Sequence, residues 1–295
     1  MFCEEIKMSY AKPLDDESLN TRVRSDQRAF SSDRVKYFGV RQHLDSEGND
    51  ILPSRKTGFS ENILELCLAE IFGTFMIMFF GCMSLISGFT DGVIPSMQPA
   101  FMFGCVVSTV IVIFGHISRA HFNPSVTVAA VVLGDLSIVD GLMYIMSQCI
   151  GCTLGFATLG FVTPQDILTF GVPSDAGLCN TIPHHSISDS QAFAVEFLCT
   201  SLMILTCCGV WDHRNANQGD SNAIKFGFMV TLCSDTVGPY TGCSMNPARS
   251  LGPALVNNVY TKLWIYLIAP TLAGAVTSFM YMMTFERTRL DKKSE

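Results

Sequence analysis

Two short stretches decide how this chain folds: Gly115-His116-Ile117-Ser118-Arg119-Ala120-His121-Phe122-Asn123-Pro124-Ser125-Val126-Thr127 and Tyr240-Thr241-Gly242-Cys243-Ser244-Met245-Asn246-Pro247-Ala248-Arg249-Ser250. Each turns on an Asn-Pro pair that opens a short apolar run, Asn123–Leu133 in the first and Asn246–Val256 in the second. Proline suits the first turn of a helix, where its missing N–H has no partner to lose. Asparagine just before it can cap that turn. Both runs are far shorter than the roughly 20 residues a membrane-crossing helix needs. They are therefore read as half-helices that begin inside the protein.

The rest of the chain supplies the membrane that such half-helices imply. Of 295 residues, 48% are hydrophobic and only 15% charged, where a soluble domain carries about 25% charge. The charges crowd into the ends, with ten Lys/Arg and ten Asp/Glu in residues 1–60 alone. Uncharged runs fill Ile71–Thr90, Gly92–Ser118, Gly141–Gln165 and Leu263–Phe285. Six spans are expected near 62–88, 98–117, 137–161, 191–211, 222–237 and 262–284, with Glu196 inside the fourth and Lys225 near the start of the fifth. This composition excludes a soluble enzyme and a disordered chain, and a net charge of −7 without a basic stripe excludes a nucleic-acid binder.

The chain divides into a disordered cytoplasmic tail over 1–60, a membrane domain over 61–285 and a cytoplasmic C-terminal tail over 286–295. Lys and Arg cluster in the N-terminal tail, at Arg119, at Arg214 and after residue 285, and none lies between Arg119 and Arg214. Six crossings put all of these on one side and the 162–190 connection outside. The first residues hold Glu4, Glu5 and Lys7 and no apolar core of a signal peptide. Of the twelve cysteines, the nine inside apolar segments, Cys82 among them, are read as reduced and buried, and no metal-ligand spacing emerges. No catalytic set and no cofactor motif is visible.

The domain is internally repeated, in halves of about 61–165 and 190–285. Leu68-Ala69-Glu70-Ile71-Phe72-Gly73-Thr74 resembles Val195-Glu196-Phe197-Leu198-Cys199-Thr200, and Glu70 and Glu196 precede their Asn-Pro pairs by 53 and 50 residues. Three spans per half force the halves to run in opposite senses, so two half-helices enter from opposite faces and aim their positive ends at one midplane point. Cations and protons are repelled there, and the amides of Asn123 and Asn246 can orient a passing water. Arg249 lies in an apolar setting that a guanidinium tolerates only beside a wet cavity, so it is read as pore-lining.

The two boxes, in order and spacing over about 62–284, resemble the signature boxes of the aquaporin, or major intrinsic protein, family. The resemblance implies an all-α membrane fold of six transmembrane helices plus two half-helices in an inverted repeat, a passive channel in a lipid bilayer, and a homotetramer. It assigns the motifs Asn123, Pro124, Ser125 and Asn246, Pro247, Ala248, with Ser125 in place of the usual alanine and Arg119 in place of a glycine. Glu70 and Glu196 become structural acids that accept hydrogen bonds from irregular backbone before each half-helix. Their alternative is a proton relay in a coupled transporter.

Counting back from each asparagine by the family pattern gives the narrowest ring as Phe103, Ser234, Cys243 and Arg249. Water-specific members carry histidine where Ser234 stands. Serine removes most of that volume, and Phe103 opposite Arg249 and Ser234 makes a ring with an apolar wall and a polar one. Water, glycerol and urea fit such a ring, and a small residue here resembles the insect entomoglyceroporin branch. The competing expectations are a strict water channel, in which neighbours fill the space at Ser234, and a closed adhesion protein. Cys243 is expected to be a wet, reactive thiol; His116 and His121 are read as packing residues before pH sensors. Gly73, Gly104, Gly155, Gly227 and Gly274 are expected at close helix contacts.

Overall fold

The computed structural model describes residues 43–44, 50–51 and 62–285, apart from 91, 93, 95, 96, 174 and 175. The expected tails therefore lie outside the described residues, except for β1 (His43–Leu44), which pairs antiparallel with β2 (Asp50–Ile51). The remainder is helical: α1 (Ile63–Met83), α2 (Met97–Ser118), α3 (Pro124–Leu133), α4 (Ile138–Val162), the single turn α5 (Gln165–Leu168), α6 (Asp189–Trp211), a 3-10 segment (His213–Ser221), α7 (Asn222–Thr241), α8 (Pro247–Asn257) and α9 (Leu263–Phe285).

The six long helices fall on the six expected spans, and α3 and α8 on the two short runs. The largest boundary difference is at α1, which stops at Met83 and not near 88. Ser84 there turns its hydroxyl back to the Gly81 carbonyl at 2.6 Å, and the chain leaves through successive turns. Five of the long helices, α1, α2, α4, α6 and α9, are long and apolar enough to cross a membrane. The sixth, α7, is 20 residues long but carries Lys225, Ser234, Asp235 and three threonines, which make it the least apolar of the set.

Packing repeats the duplication seen in the residues. In the first half α1 lies along α4 and α2; in the second α6 lies along α9 and α7. Each half-helix packs on the last long helix of the other half, α3 on α9 and α8 on α4, while α2 meets α7. Exchanging the halves leaves this scheme unchanged, as an inverted repeat requires. The α2–α7 crossing is close because Gly104 faces the Gly227 carbonyl, where a β-carbon would collide, and Ser108 Oγ donates across it to Ala223 O at 2.9 Å. Large apolar side chains such as Val112, Leu142, Phe161, Leu198 and Phe228 point outward. Such a surface is stable against lipid or a partner subunit, not against water.

One expectation is overturned. Cys82 is not a reduced thiol: it forms a disulfide with Cys179, their Cα atoms 5.6 Å apart. Cys82 sits at the last turn of α1, and the connection after α5 folds back onto that helix end, so the two β-carbons meet within bonding reach. The nine other described cysteines form no disulfide.

Candidate functional site

The approach to each half-helix is irregular backbone deep in the protein, and a buried glutamate satisfies it. Ala120 and Phe122 before Asn123, and Cys243 and Met245 before Asn246, occupy matching places with φ of 53°, 49°, 47° and 52°. Such left-handed residues persist only when their surroundings hold them. Glu70, fully buried in α1, accepts from the His121 and Phe122 amides at 3.1 and 2.7 Å, from Ser118 Oγ at 2.6 Å and from Gln148 Nε2 at 2.8 Å. Glu196 in α6 does the same for the Ser244 and Met245 amides at 2.9 and 3.0 Å and for Thr241 Oγ1 at 2.6 Å.

Both half-helices are capped by their asparagine. Asn123 Oδ1 accepts from the Ser125 amide at 2.8 Å, and Asn246 Oδ1 from the Ala248 and Arg249 amides at 3.0 and 3.2 Å. The amide nitrogens then cross over. Asn123 Nδ2 donates to Met245 O at 2.8 Å, and Asn246 Nδ2 donates to Phe122 O at 2.9 Å, so each asparagine holds the carbonyl just before the other. Two positive helix ends are thereby clamped face to face. The sites differ in what remains: Asn123 is buried and its Nδ2 also lies 3.6 Å from Met203 Sδ, whereas Asn246 is partly exposed.

Of the four residues expected to form a ring, Phe103 and Arg249 meet directly, with the guanidinium carbon 5.4 Å from the ring centroid. Gly81 makes room for the Phe103 ring, which a β-carbon there would overlap. Arg249, 8% exposed, also donates from Nη1 to Cys179 O at 2.6 Å. Cys243 belongs to the cluster against which Phe103 packs; its Sγ lies 3.8 Å from Cys199 Sγ and the residue is 6% exposed. Ser234 is half-buried on α7, next to Cys233 of the same cluster.

The remaining expected residues sort by environment. Arg119 stands at φ 65°, a conformation glycine adopts without cost. His121 is buried between Tyr144 and Trp211, ring centroids 5.1 and 5.8 Å away, with Nδ1 3.2 Å from Thr127 Oγ1; His116 is exposed at the end of α2. Ser125 is fully buried, and its hydroxyl has no hydrogen-bond partner among the described residues. A buried hydroxyl left unpaired costs about 1–3 kcal/mol, so Ser125→Ala is expected to raise the thermal unfolding midpoint of the solubilised protein.

Three working side chains carried no signal of their own. Tyr144 and Tyr266 donate their hydroxyls to Ser118 O and Thr241 O at 3.0 and 2.7 Å, pinning the last carbonyls of α2 and α7, and Gln148 links Glu70 to Thr127 Oγ1 at 2.9 Å. The repeat would have found the tyrosines, which follow Asn123 and Asn246 by 21 and 20 residues. Among the described residues, no group of three or more His, Cys, Asp or Glu is placed to hold a metal ion. The arrangement presents hydrogen-bond donors and positive helix ends around a junction of two halves.

Comparison with known proteins agrees with this architecture. The family model described as Major intrinsic protein matches residues 59–281. Aquaporin NIP1-1 of Arabidopsis thaliana is 35% identical over 227 residues, covering 74% of this chain and 73% of that protein. Lens fiber major intrinsic protein of Canis lupus familiaris is 35% identical over 213 residues, covering 72% and 78%. The X-ray structure of the aquaglyceroporin from Plasmodium falciparum superposes with a TM-score of 0.69 at 21% identity, covering 78% of this chain and 99% of that one, and shows the same fold.

Proposed function

Because this chain belongs to the major intrinsic protein family, whose members are passive membrane channels and not enzymes, we propose that it conducts water together with small uncharged solutes, glycerol first and urea second, while excluding protons and ions. The observation that carries this reading is the pairing of Arg249 with Phe103, taken with a serine at position 234, where the family pattern of water-specific members has a bulky histidine. A guanidinium offers donors to hydroxyls, a phenyl ring offers an apolar wall to carbons, and a short side chain leaves room for a molecule that has both. Ion exclusion rests on the clamped half-helix ends and on the buried positive charge of Arg249.

The same reading places both termini in the cytoplasm and the Cys82–Cys179 disulfide on the outer face of the plasma membrane, where disulfides persist. The outward apolar side chains suit four identical subunits surrounded by lipid, each with its own passage.

The test is osmotic swelling and labelled glycerol uptake in vesicles carrying the protein, wild type beside Ser234→His. Wild type is expected to pass both water and glycerol, and the variant to lose most glycerol flux while water persists. Wild type that passes water alone would make this a strict water channel, with Ser234 not setting the aperture.

A further inference from the structure

The disulfide joins two segments that each touch one member of the Phe103–Arg249 contact. Cys82 follows Gly81, the residue whose missing side chain leaves space for the Phe103 ring. Its partner, 97 residues later, is Cys179, whose carbonyl oxygen accepts from Arg249 Nη1 at 2.6 Å. One covalent bond therefore joins the helix that seats the ring to the acceptor that holds the guanidinium.

That acceptor matters because Arg249 is buried, and a buried guanidinium depends on the oxygens that the protein supplies. The carbonyl in turn depends on an unfavourable backbone: Cys179 has φ 65°, a left-handed conformation that a residue with a β-carbon leaves when nothing holds it. Its neighbours hydrogen-bond to α8 and its end, through Asn257 Nδ2 to Leu178 O at 3.0 Å and to Asn180 Oδ1 at 2.9 Å, and through Thr181 Oγ1 to Ser250 Oγ at 2.7 Å, while Leu178 packs in one buried cluster with Met78 and Cys82 of α1. The disulfide is what ties this segment covalently to α1.

We propose that the Cys82–Cys179 disulfide is a positioning element of the selectivity ring: it fixes the Cys179 carbonyl, and through it the distance of Arg249 from Phe103, which sets what size of solute passes. The inference rests on the ring assignment made under the proposed function. When the bond is cleaved by a phosphine, phosphorus takes up one sulfur and gives two electrons to the pair. Water then supplies the oxygen that ends on phosphorus and the two protons that end on the Cys82 and Cys179 sulfurs. The freed segment relaxes away from φ 65°, Arg249 loses its acceptor, and its guanidinium turns to the water in the passage and narrows it. Glycerol suffers more than water.

The experiment uses the full chain in vesicles, before and after tris(2-carboxyethyl)phosphine, with completeness of reduction read from the intact mass. The glycerol-to-water permeability ratio is expected to fall several-fold on reduction and to recover on reoxidation. A Cys82→Ala/Cys179→Ala variant is expected to start at the low ratio and to ignore the phosphine. If that variant does not fold, reversible reduction of the folded wild type decides alone. An unchanged ratio in fully reduced protein overturns the proposal, as does a proportional fall of both fluxes, which a general loosening would give. Arg249→Ala separates the two readings. A ratio that moves in Arg249→Ala but not on reduction defeats only the disulfide's role, and a ratio indifferent to Arg249 defeats the ring assignment with it.

Discussion

Glu70→Ala is expected to yield almost no folded channel in the membrane. The substitution leaves three buried donors without an acceptor, the His121 and Phe122 amides and Ser118 Oγ, and takes from Gln148 Nε2 one of its two acceptors. Each orphaned donor costs about 1–3 kcal/mol, and the sum is of the order of the entire net stability of a protein, about 5–15 kcal/mol. Water cannot repair the loss, since residue 70 is fully buried. Glu196→Ala orphans three donors and is expected to be nearly as damaging. Membrane-extracted protein run on size exclusion reads the result, and a monodisperse Glu70→Ala peak of wild-type yield would show that the loop holds itself. Glu70→Gln keeps one carbonyl oxygen, so a reduced yield of working channel is expected. Passive flux in that variant speaks against a proton relay, which an amide cannot serve.

Arg249→Ala is expected to open the channel to protons and cations and to blunt its discrimination among solutes. A unit charge repels another at 4 Å by about 4 kcal/mol at an effective dielectric of 20. Solvent in the passage weakens this and the two half-helix ends remain, so a rise in proton conductance of at least about tenfold is the conservative expectation from that energy. The loss of donors opposite Phe103 removes the polar wall that a polyol uses. A pH-sensitive dye inside vesicles reads the proton flux under an imposed gradient. Proton tightness equal to wild type would assign exclusion to the Asn123–Asn246 junction alone.

The parts of this molecule that were legible beforehand are those written twice. Asn123 and Asn246 identify each other, and Glu70 and Glu196 become structural acids as soon as they stand at matching distances from them. Long helices are legible because lipid demands apolar runs of fixed length; α7, with Lys225, Asp235 and three threonines, fits that rule least well. What was not legible depends on contacts between distant segments without a partner copy. Cys82 sits in an apolar run like any buried thiol, and nothing near Cys179 in the chain announces that its segment folds back to α1. The approach of Cys243 Sγ to Cys199 Sγ on another helix is likewise a contact that its place in the motif does not announce. Ser125 and Ser234 were both visible as departures from a pattern. The structure gives the first a measurable burden, an unpaired buried hydroxyl, and leaves the second to the flux measurement.

The crossed asparagines also set an order of events during synthesis. Asn123 reaches for Met245, which leaves the ribosome 122 residues later, and α3 rests on α9, the last helix to be made. The first half-helix is therefore made well before its clamp and its main packing partner. A nascent chain halted before α9 would hold a re-entrant segment that touches α4 and α6 but lacks its main packing partner.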